Sequence, residues 1–142
     1  MQIAVNQPTI SWQAAHAAVA AALAQAEQLG VRINVAIVDR SGLLVAFLRA
    51  PGAPLHSMDI ARDKAYTAAS FGVNTAQWSE RLAGKSEGLQ KGLILQPRLV
   101  IFGGGLPIKV DGQLVGGIGV SGASEAQDEE CARAGLRAMG LE

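Results

Sequence analysis

The spacing of apolar residues divides the chain into a small set of helices and strands. Ser11 to Leu29 predicts an amphipathic helix, with Ser11 as its N-terminal cap and Gly30 as its stop. Alanine, the best helix former, supplies most of this segment, and apolar residues recur at i, i+4 and i+7 as Val19, Leu23 and Ala26.

The next segments predict a hairpin followed by two helices. Apolar runs at 33–38 and 43–48 are separated by a Gly-containing turn, which is typical of a β-hairpin. A second helix is predicted from Ser57, which would cap it, to Phe71, and a short third helix from Asn74 to Leu82. The polar, glycine-punctuated stretch 84–92 is expected to be mobile.

The C-terminal third predicts three strands and a helix. A strand at 99–102 is followed by a hairpin of 106–110 and 113–120, joined by the strong turn signal Asp111-Gly112. The last helix, 125–139, begins at a capping box formed by Ser124 and Gln127. The order α-β-β-α-α-β-β-β-α predicts an α/β fold of the α+β kind, with a five-stranded, mainly antiparallel sheet flanked by helices.

Composition indicates one domain that associates with itself. The 142 residues suit a single domain, 1–142, and the chain is 49 % apolar but only 17 % charged. Because few charges are available to cover the surface, we expect a homo-oligomer, the alternative being an Ala- and Gly-rich monomer. The formal net charge is zero and no basic stripe exists, so no nucleic-acid partner is expected.

The remaining bulk features predict a cytoplasmic protein. Cys131 is the only cysteine, which excludes an internal disulfide and a cysteine-based metal cluster. The first residues carry no basic group before an apolar run, so we expect no signal peptide. No uncharged apolar stretch approaches the roughly 18 residues of a membrane span, so no membrane partner is expected.

Two dense glycine clusters are the most informative feature of the chain. Gly103, Gly104 and Gly105 precede Pro107, and four glycines punctuate 116–122. One interpretation is close packing of strands against Ala-rich helices. The other is a ligand pocket of exposed main-chain N–H groups, in which 121–124 lead into a helix N-terminus that attracts anions. The pocket residues would be Gly103, Gly104, Gly105, Pro107, Ser121, Gly122 and Ser124.

The same segments resemble a known family. Gly-Gly-Gly-Leu-Pro-Ile, Gly-Gly-Ile-Gly-Val-Ser-Gly and Gln-Asp-Glu-Glu-Cys-Ala are similar to the signature of the GlcG/HbpS-like family, as are 35–42 and 62–68. That family includes the C-terminal domain of PduO-type corrinoid adenosyltransferases. The resemblance implies a profilin-like fold, self-assembly and, in some members, binding or breakdown of haem.

A haem site needs an axial ligand, usually His, Met, Cys or Tyr. His56, just before the predicted second helix, is the candidate ligand, with a solvent-facing loop residue as the alternative. His16 is interpreted as a surface or interface residue, and Cys131 as a small buried apolar residue. No Cys-x-x-Cys-His motif is present, so covalent attachment is excluded, and no other metal site is predicted.

Charged residues supply the remaining candidates. Arg49, Arg62 and Lys64 could neutralise ligand carboxylates or haem propionates, or could simply be solvated charges. Lys64, Asp128 and Glu129 are weak candidates for proton transfer, although acids in the first turn of a helix are stabilising in any case. No recognisable nucleophile–histidine motif or P-loop accompanies them.

Three functional hypotheses therefore stand at this point. The first is an oligomeric accessory protein that binds haem, a corrinoid or a small carboxylate-bearing ligand in a glycine-lined pocket. The second is a small catabolic enzyme that acts on an organic acid by proton transfer. The third is a purely structural assembly unit, in which the glycines and alanines only allow close packing.

Overall fold

The computed structural model describes residues 1–142. Five helices and four strands follow one another along the chain. In chain order they are α1 (Trp12–Leu29), β1 (Asn34–Asp39), β2 (Leu44–Arg49), α2 (His56–Phe71), α3 (Trp78–Leu82), α4 (Glu87–Leu93), β3 (Gly105–Val110), β4 (Gln113–Ser121) and α5 (Glu125–Ala138), with a 3₁₀ turn at Thr75–Gln77. None of the helices combines the length and apolar character that a membrane span requires.

The four strands form one antiparallel sheet in the order β2-β1-β4-β3. Helix α2 covers one face, and α1 with α5 cover the other. Alternate residues of β1 therefore enter two cores, with Val35 and Ile37 in the larger and Ala36 and Val38 in the smaller. Burial on both faces explains why Val35 to Val38 of β1 are all apolar rather than alternating with polar residues.

Local signals confirm several predicted boundaries. Ser11 caps α1 by accepting a hydrogen bond from the amide of Ala14, and Gly30 ends it in the left-handed region, at φ 70°. The capping box of α5 is present in full. Asp111 and Gly112 both have positive φ, 51° and 78°, as a tight hairpin turn requires.

The prediction of a fifth strand at 99–102 is wrong. The hydroxyl of Thr67 on α2 donates to the carbonyl of Arg98 and accepts from the amide of Val100, at 2.9 and 3.1 Å. This segment is therefore tied to a helix. Strand β4 already has β1 and β3 as its neighbours, so no pairing edge remains there for a further strand.

Two other boundaries differ from the predictions. Ser57 is not the cap of α2, because Leu55 already has helical dihedrals and the helix begins at His56. The stretch 84–92 contains most of α4, which Ser86 caps by accepting a hydrogen bond from the amide of Leu89. No side chain of this helix is buried, so its amphipathic signal in the sequence is weak.

Candidate functional site

The glycines of β4 allow helix α2 to lie unusually close to the sheet. A Cβ atom at Gly117 would overlap the carbonyl oxygen of Ala65, and one at Gly119 would overlap that of Ala61. Small residues on both elements are therefore required by the distance between backbones. The close-packing interpretation of this glycine cluster matches the structure.

The first glycine cluster is also filled by the chain itself. Gly104 has φ 122°, and a Cβ there would lie 2.7 Å from Nζ of Lys64. The amide of Gly103 donates to Oε1 of Glu125 at 2.7 Å, and that of Gly105 donates to Oγ1 of Thr75 at 2.9 Å. These two amides are therefore not available to a bound anion.

In the segment leading into α5, main-chain amides are likewise hydrogen-bonded within the chain. Ser121 is buried and pairs with Asn34, while Gly122 adopts φ 138° against the backbone of Arg32. The amide of Ala123 donates to Oδ1 of Asp128, and the amide of Ser124 to Oε1 of Gln127, at 3.0 and 3.2 Å. These two N–H groups are thus engaged by neighbouring side chains, and ligand contact by these residues stays a prediction.

Pro107 lies on the outer strand of the sheet. It is half-buried in β3, opposite Gly117. Gly103, Gly104 and Gly105 line none of five cavities of the surface, whose volumes run from about 190 to about 580 Å³. Pro107 lines a shallow cavity of about 220 Å³ with residues of α5 and the C-terminus.

Lys64 and Asp128 form a buried ion pair beneath Gly104. Nζ of Lys64 donates to Oδ2 of Asp128 at 3.0 Å and to the carbonyl of Val120 at 2.8 Å. Only 1 % of the lysine side chain and 4 % of the aspartate side chain are exposed. The ring of Phe102 lies over the ammonium group, 5.2 Å from Nζ to its centroid. The pair joins α2, β4 and α5.

Burial shifts both pKa values towards the neutral forms. Loss of hydration lowers the pKa of Lys64 below 10.5, although the nearby Asp128 carboxylate opposes this shift. Loss of hydration likewise raises the pKa of Asp128 above 3.8, against the opposing effect of Lys64. The attraction within the pair therefore only partly offsets the cost of removing two charges from water.

The third candidate for proton transfer lies apart from this pair. Glu129 accepts hydrogen bonds from Arg133, one turn further along α5, at 2.8 and 3.2 Å. The residues that sequence reasoning missed are Thr75, Glu125 and Phe102, which enclose the pair or the adjoining glycines. Only Glu125 could have been noticed from the sequence, as an acid in the first turn of a helix. That position does not indicate that Glu125 binds the amide of Gly103.

A second cluster lies where β2 ends and α2 begins. We name residues 50–55 the α2-entry loop. Nη2 of Arg49 donates to the carbonyl of Ala53 at 2.6 Å, and Nδ2 of Asn34 donates to that of Pro54 at 3.2 Å. Gly52, with φ 83°, lies against the guanidinium of Arg32. Two arginines and a buried asparagine thus hold this loop.

The α2-entry loop places an imidazole beside apolar and cationic groups. His56 is exposed at the first residue of α2, and the neighbouring Leu55 side chain is 73 % exposed. Arg32, which precedes β1, and Arg49, the last residue of β2, are exposed and contact this loop. The other candidate arginine, Arg62, lies on the surface of α2 in a weak pair with Asp59.

The second histidine lies on a separate surface. His16 is exposed on α1, one turn after Trp12, which is 66 % exposed. Cys131 is buried within α5, as the sequence predicts. No group of three or more His, Cys, Asp or Glu side chains is placed to hold a metal ion.

Comparison with known proteins identifies the class to which this fold belongs. The family described as "Haem degrading protein HbpS-like" matches residues 10–137. The chain is 35 % identical over 134 residues to corrinoid adenosyltransferase PduO of Salmonella typhimurium, covering 93 % of this chain and 39 % of that protein. It therefore spans about two fifths of the length of that relative. It is also 33 % identical over 112 residues to protein GlcG of Escherichia coli, covering 79 % of this chain and 81 % of GlcG.

A solved structure agrees with these relatives. The crystal structure of a PduOC–haem complex superposes with a TM-score of 0.83 at 36 % identity, covering 92 % of this chain and 94 % of that one. The chain belongs to the GlcG/HbpS-like family, as its glycine-rich segments predict.

Proposed function

We propose that this protein is an oligomeric accessory protein that binds a tetrapyrrole. The observation that carries the proposal is its likeness, over 92 % of its length, to a domain whose crystal structure is a haem complex. The glycine segments contribute shape by letting helices and sheet approach closely. The side chains that suit the ligand lie instead at the α2-entry loop.

The chemistry of this loop fits haem. The exposed imidazole of His56 suits the iron, the exposed Leu55 side chain suits the apolar macrocycle, and Arg49 with Arg32 suits the propionates. The hydrogen bond from Arg49 to the Ala53 carbonyl holds one cation beside the loop. Bound haem would supply a redox-active iron, while these residues would bind and orient it.

Haemin titration of the purified protein tests this proposal. We expect a shifted Soret band with saturable stoichiometry, and loss of that shift in His56→Ala. His16→Ala is the matched control, because it removes the only other imidazole from an equally exposed position. Circular dichroism of both variants checks that the fold is kept.

The outcomes separate the function from the ligand assignment. A wild-type spectrum equal to that of free haemin, unchanged by either substitution, contradicts haem binding. A shift that His16→Ala abolishes and His56→Ala preserves keeps tetrapyrrole binding but moves the axial ligand to α1. Reversal of charge at Arg49 by Arg49→Glu should weaken binding of haemin more than that of a haem dimethyl ester, which lacks the propionate charges.

The structure shows no path by which a substrate could reach the candidate residues for proton transfer. Lys64 and Asp128 do have shifted pKa values, but both side chains are almost fully buried and bonded within the chain. They line none of these five surface cavities. We assign this pair to joining α2 and α5, and we keep the tetrapyrrole-binding proposal.

A further inference from the structure

The first eight residues form an arm without regular secondary structure. None of them belongs to a helix or strand, and all are exposed. Met1, Ile3 and Val5 alternate with Gln2, Ala4 and Asn6, which is the period of a β-strand with one apolar face. The side chains of Ile3 and Val5 are 93 % and 69 % exposed, and no residue of the arm has a charged side chain.

The root of the arm is fixed beside the turn that precedes β2. Oγ1 of Thr9 accepts a hydrogen bond from the amide of Arg40 at 3.0 Å. The amide of Ile10 donates to the carbonyl of Val115 at 3.1 Å. Arg40 lies in the turn between β1 and β2, so the arm leaves the body of the protein next to the turn that leads into β2, where Gln7 lines a cavity with Ser41 and with Ser70 of α2.

The two edges of the sheet differ in how they are protected. The edge strand β3 carries Pro107 and Lys109, and these two residue types are common devices against strand addition. The opposite edge strand β2, of sequence LVAFLR, contains neither proline nor lysine, and its own devices are a bulge after Leu44 and the charged Arg49 at its end. Its Leu44 and Leu48 side chains are 46 % and 38 % exposed. Its outer N–H and C=O groups have no strand partner, because β2 ends the sheet.

We propose that residues 2–6 of a second copy of this chain add to the free edge of β2 as a fifth strand. Each copy has one arm and one free edge, so two copies can exchange arms reciprocally about a two-fold axis and leave neither unpaired. Ile3 and Val5 would then lie on one face of the enlarged sheet, beside Leu48, which shares the face of Val35. The inference names the surface behind the proposed self-association, and it does not depend on haem.

Measurement of the solution mass by light scattering coupled to size exclusion tests this exchange. Deletion of residues 2–7, and the double substitution Ile3→Asp with Val5→Asp, should each halve the mass of the assembly. The matched control, Gln2→Asp with Asn6→Asp, adds the same charge to the other face of the arm and should keep the wild-type mass. Leu48→Lys should lower the mass as the arm deletion does, because it places a charge on the receiving edge.

Disulfide trapping locates the contact independently of mass. A chain carrying Val5→Cys is mixed with one carrying Leu48→Cys, and Cys131 does not interfere because it is buried. We expect a mixed dimer under oxidation, and none from Asn6→Cys with Leu48→Cys.

The other possible outcomes contradict either self-association or the exchange of arms. A monomeric wild-type protein removes self-association and the arm exchange together. Wild-type mass after arm deletion, with dissociation by Leu48→Lys, shows that two β2 edges pair directly. A haemin titration of the deletion variant keeps the tetrapyrrole proposal separate, since the deletion alters none of His56, Leu55 and Arg49.

Discussion

Lys64 shows how a single residue can have opposite effects on the fold. Its long side chain fills space between α2, β4 and α5, and its ammonium group compensates Asp128. Its burial nevertheless costs hydration free energy, which is why the pKa of the ammonium group is lowered. The fold therefore accommodates the intact ion pair, but removal of only one partner lowers the free energy of unfolding.

Lys64→Met should lower the free energy of unfolding at neutral pH by about 3–5 kcal/mol, because it leaves Asp128 buried without a counter-charge. The double variant Lys64→Met with Asp128→Leu should recover most of this loss. Lys91→Met is the matched control, since Lys91 pairs with Glu87 on the surface of α4 and exposed pairs contribute about 0–1 kcal/mol. Urea unfolding measures all three, and a small effect of Lys64→Met alone would contradict this account.

The loss in Lys64→Met should also grow with pH. Without Lys64, burial raises the pKa of Asp128 further above 3.8. The folded variant then retains a proton that the unfolded chain releases above that value, so its stability falls as pH rises until the folded pKa is passed. Unfolding measured at several pH values between 4 and 8 should show the gap to wild type widening with pH, and a constant gap would contradict it.

The sequence indicates both residues of this pair but not their contact. Periodicity places Lys64 on a helix and Asp128 in the first turn of another, yet 64 positions separate them. No local pattern reports which helix faces which part of the sheet. The same limit applies to Thr75, whose hydroxyl reaches Gly105 only after the chain has turned back.

At the scale of elements, helix α5 depends on its first turn. The hydroxyl of Ser124 accepts a hydrogen bond from the amide of Gln127, and the Gln127 side chain accepts from the amide of Ser124. Ser124→Ala should therefore lower the free energy of unfolding by about 1 kcal/mol. Ser86→Ala, at the cap of α4, should change it less, because α4 buries no side chain and can fray alone. Equal effects measured in urea would contradict this distinction.

Predicted elements succeeded where their signals are local. The caps of α1 and α5 and the Asp111-Gly112 turn depend on residues within a few positions of one another. The strand at 99–102 failed because its backbone is hydrogen-bonded to the side chain of Thr67 on α2 rather than to a strand, which an apolar run cannot report. The start of α2 failed because a serine signals a cap only where the preceding backbone is extended, and Leu55 is helical.

The whole molecule is a single sheet enclosed by helices on both faces, and Cys131 lies in its larger core. Burial raises the pKa of this thiol to about 11, so little reactive thiolate exists at neutral pH. Labelling by a thiol reagent should therefore proceed at the rate of global unfolding and accelerate with urea. Ser79→Cys supplies an exposed thiol for comparison and should react at once. Rapid labelling of wild type in native buffer would contradict a rigid core.

At this scale the glycine-rich segments identified the family, and with it the arrangement of helices around an antiparallel sheet. They did not identify a ligand pocket, because glycine is equally suited to a bound molecule and to a closely packed helix. Deciding between these roles required the positions of neighbouring carbonyl groups, as at Gly119.

The stretch 83–97 carries no buried side chain, although it connects α3 to the segment that returns towards the sheet. Lengthening such a surface segment costs little folding free energy, because loop-closure entropy grows only with the logarithm of length. Family members can accordingly diverge or acquire insertions there without disturbing the rest of the molecule. A fluorescent reporter spliced after Gly84, in the exposed turn between α3 and α4, would exploit the same tolerance, leaving both the amino-terminal arm and the α2-entry loop unaltered.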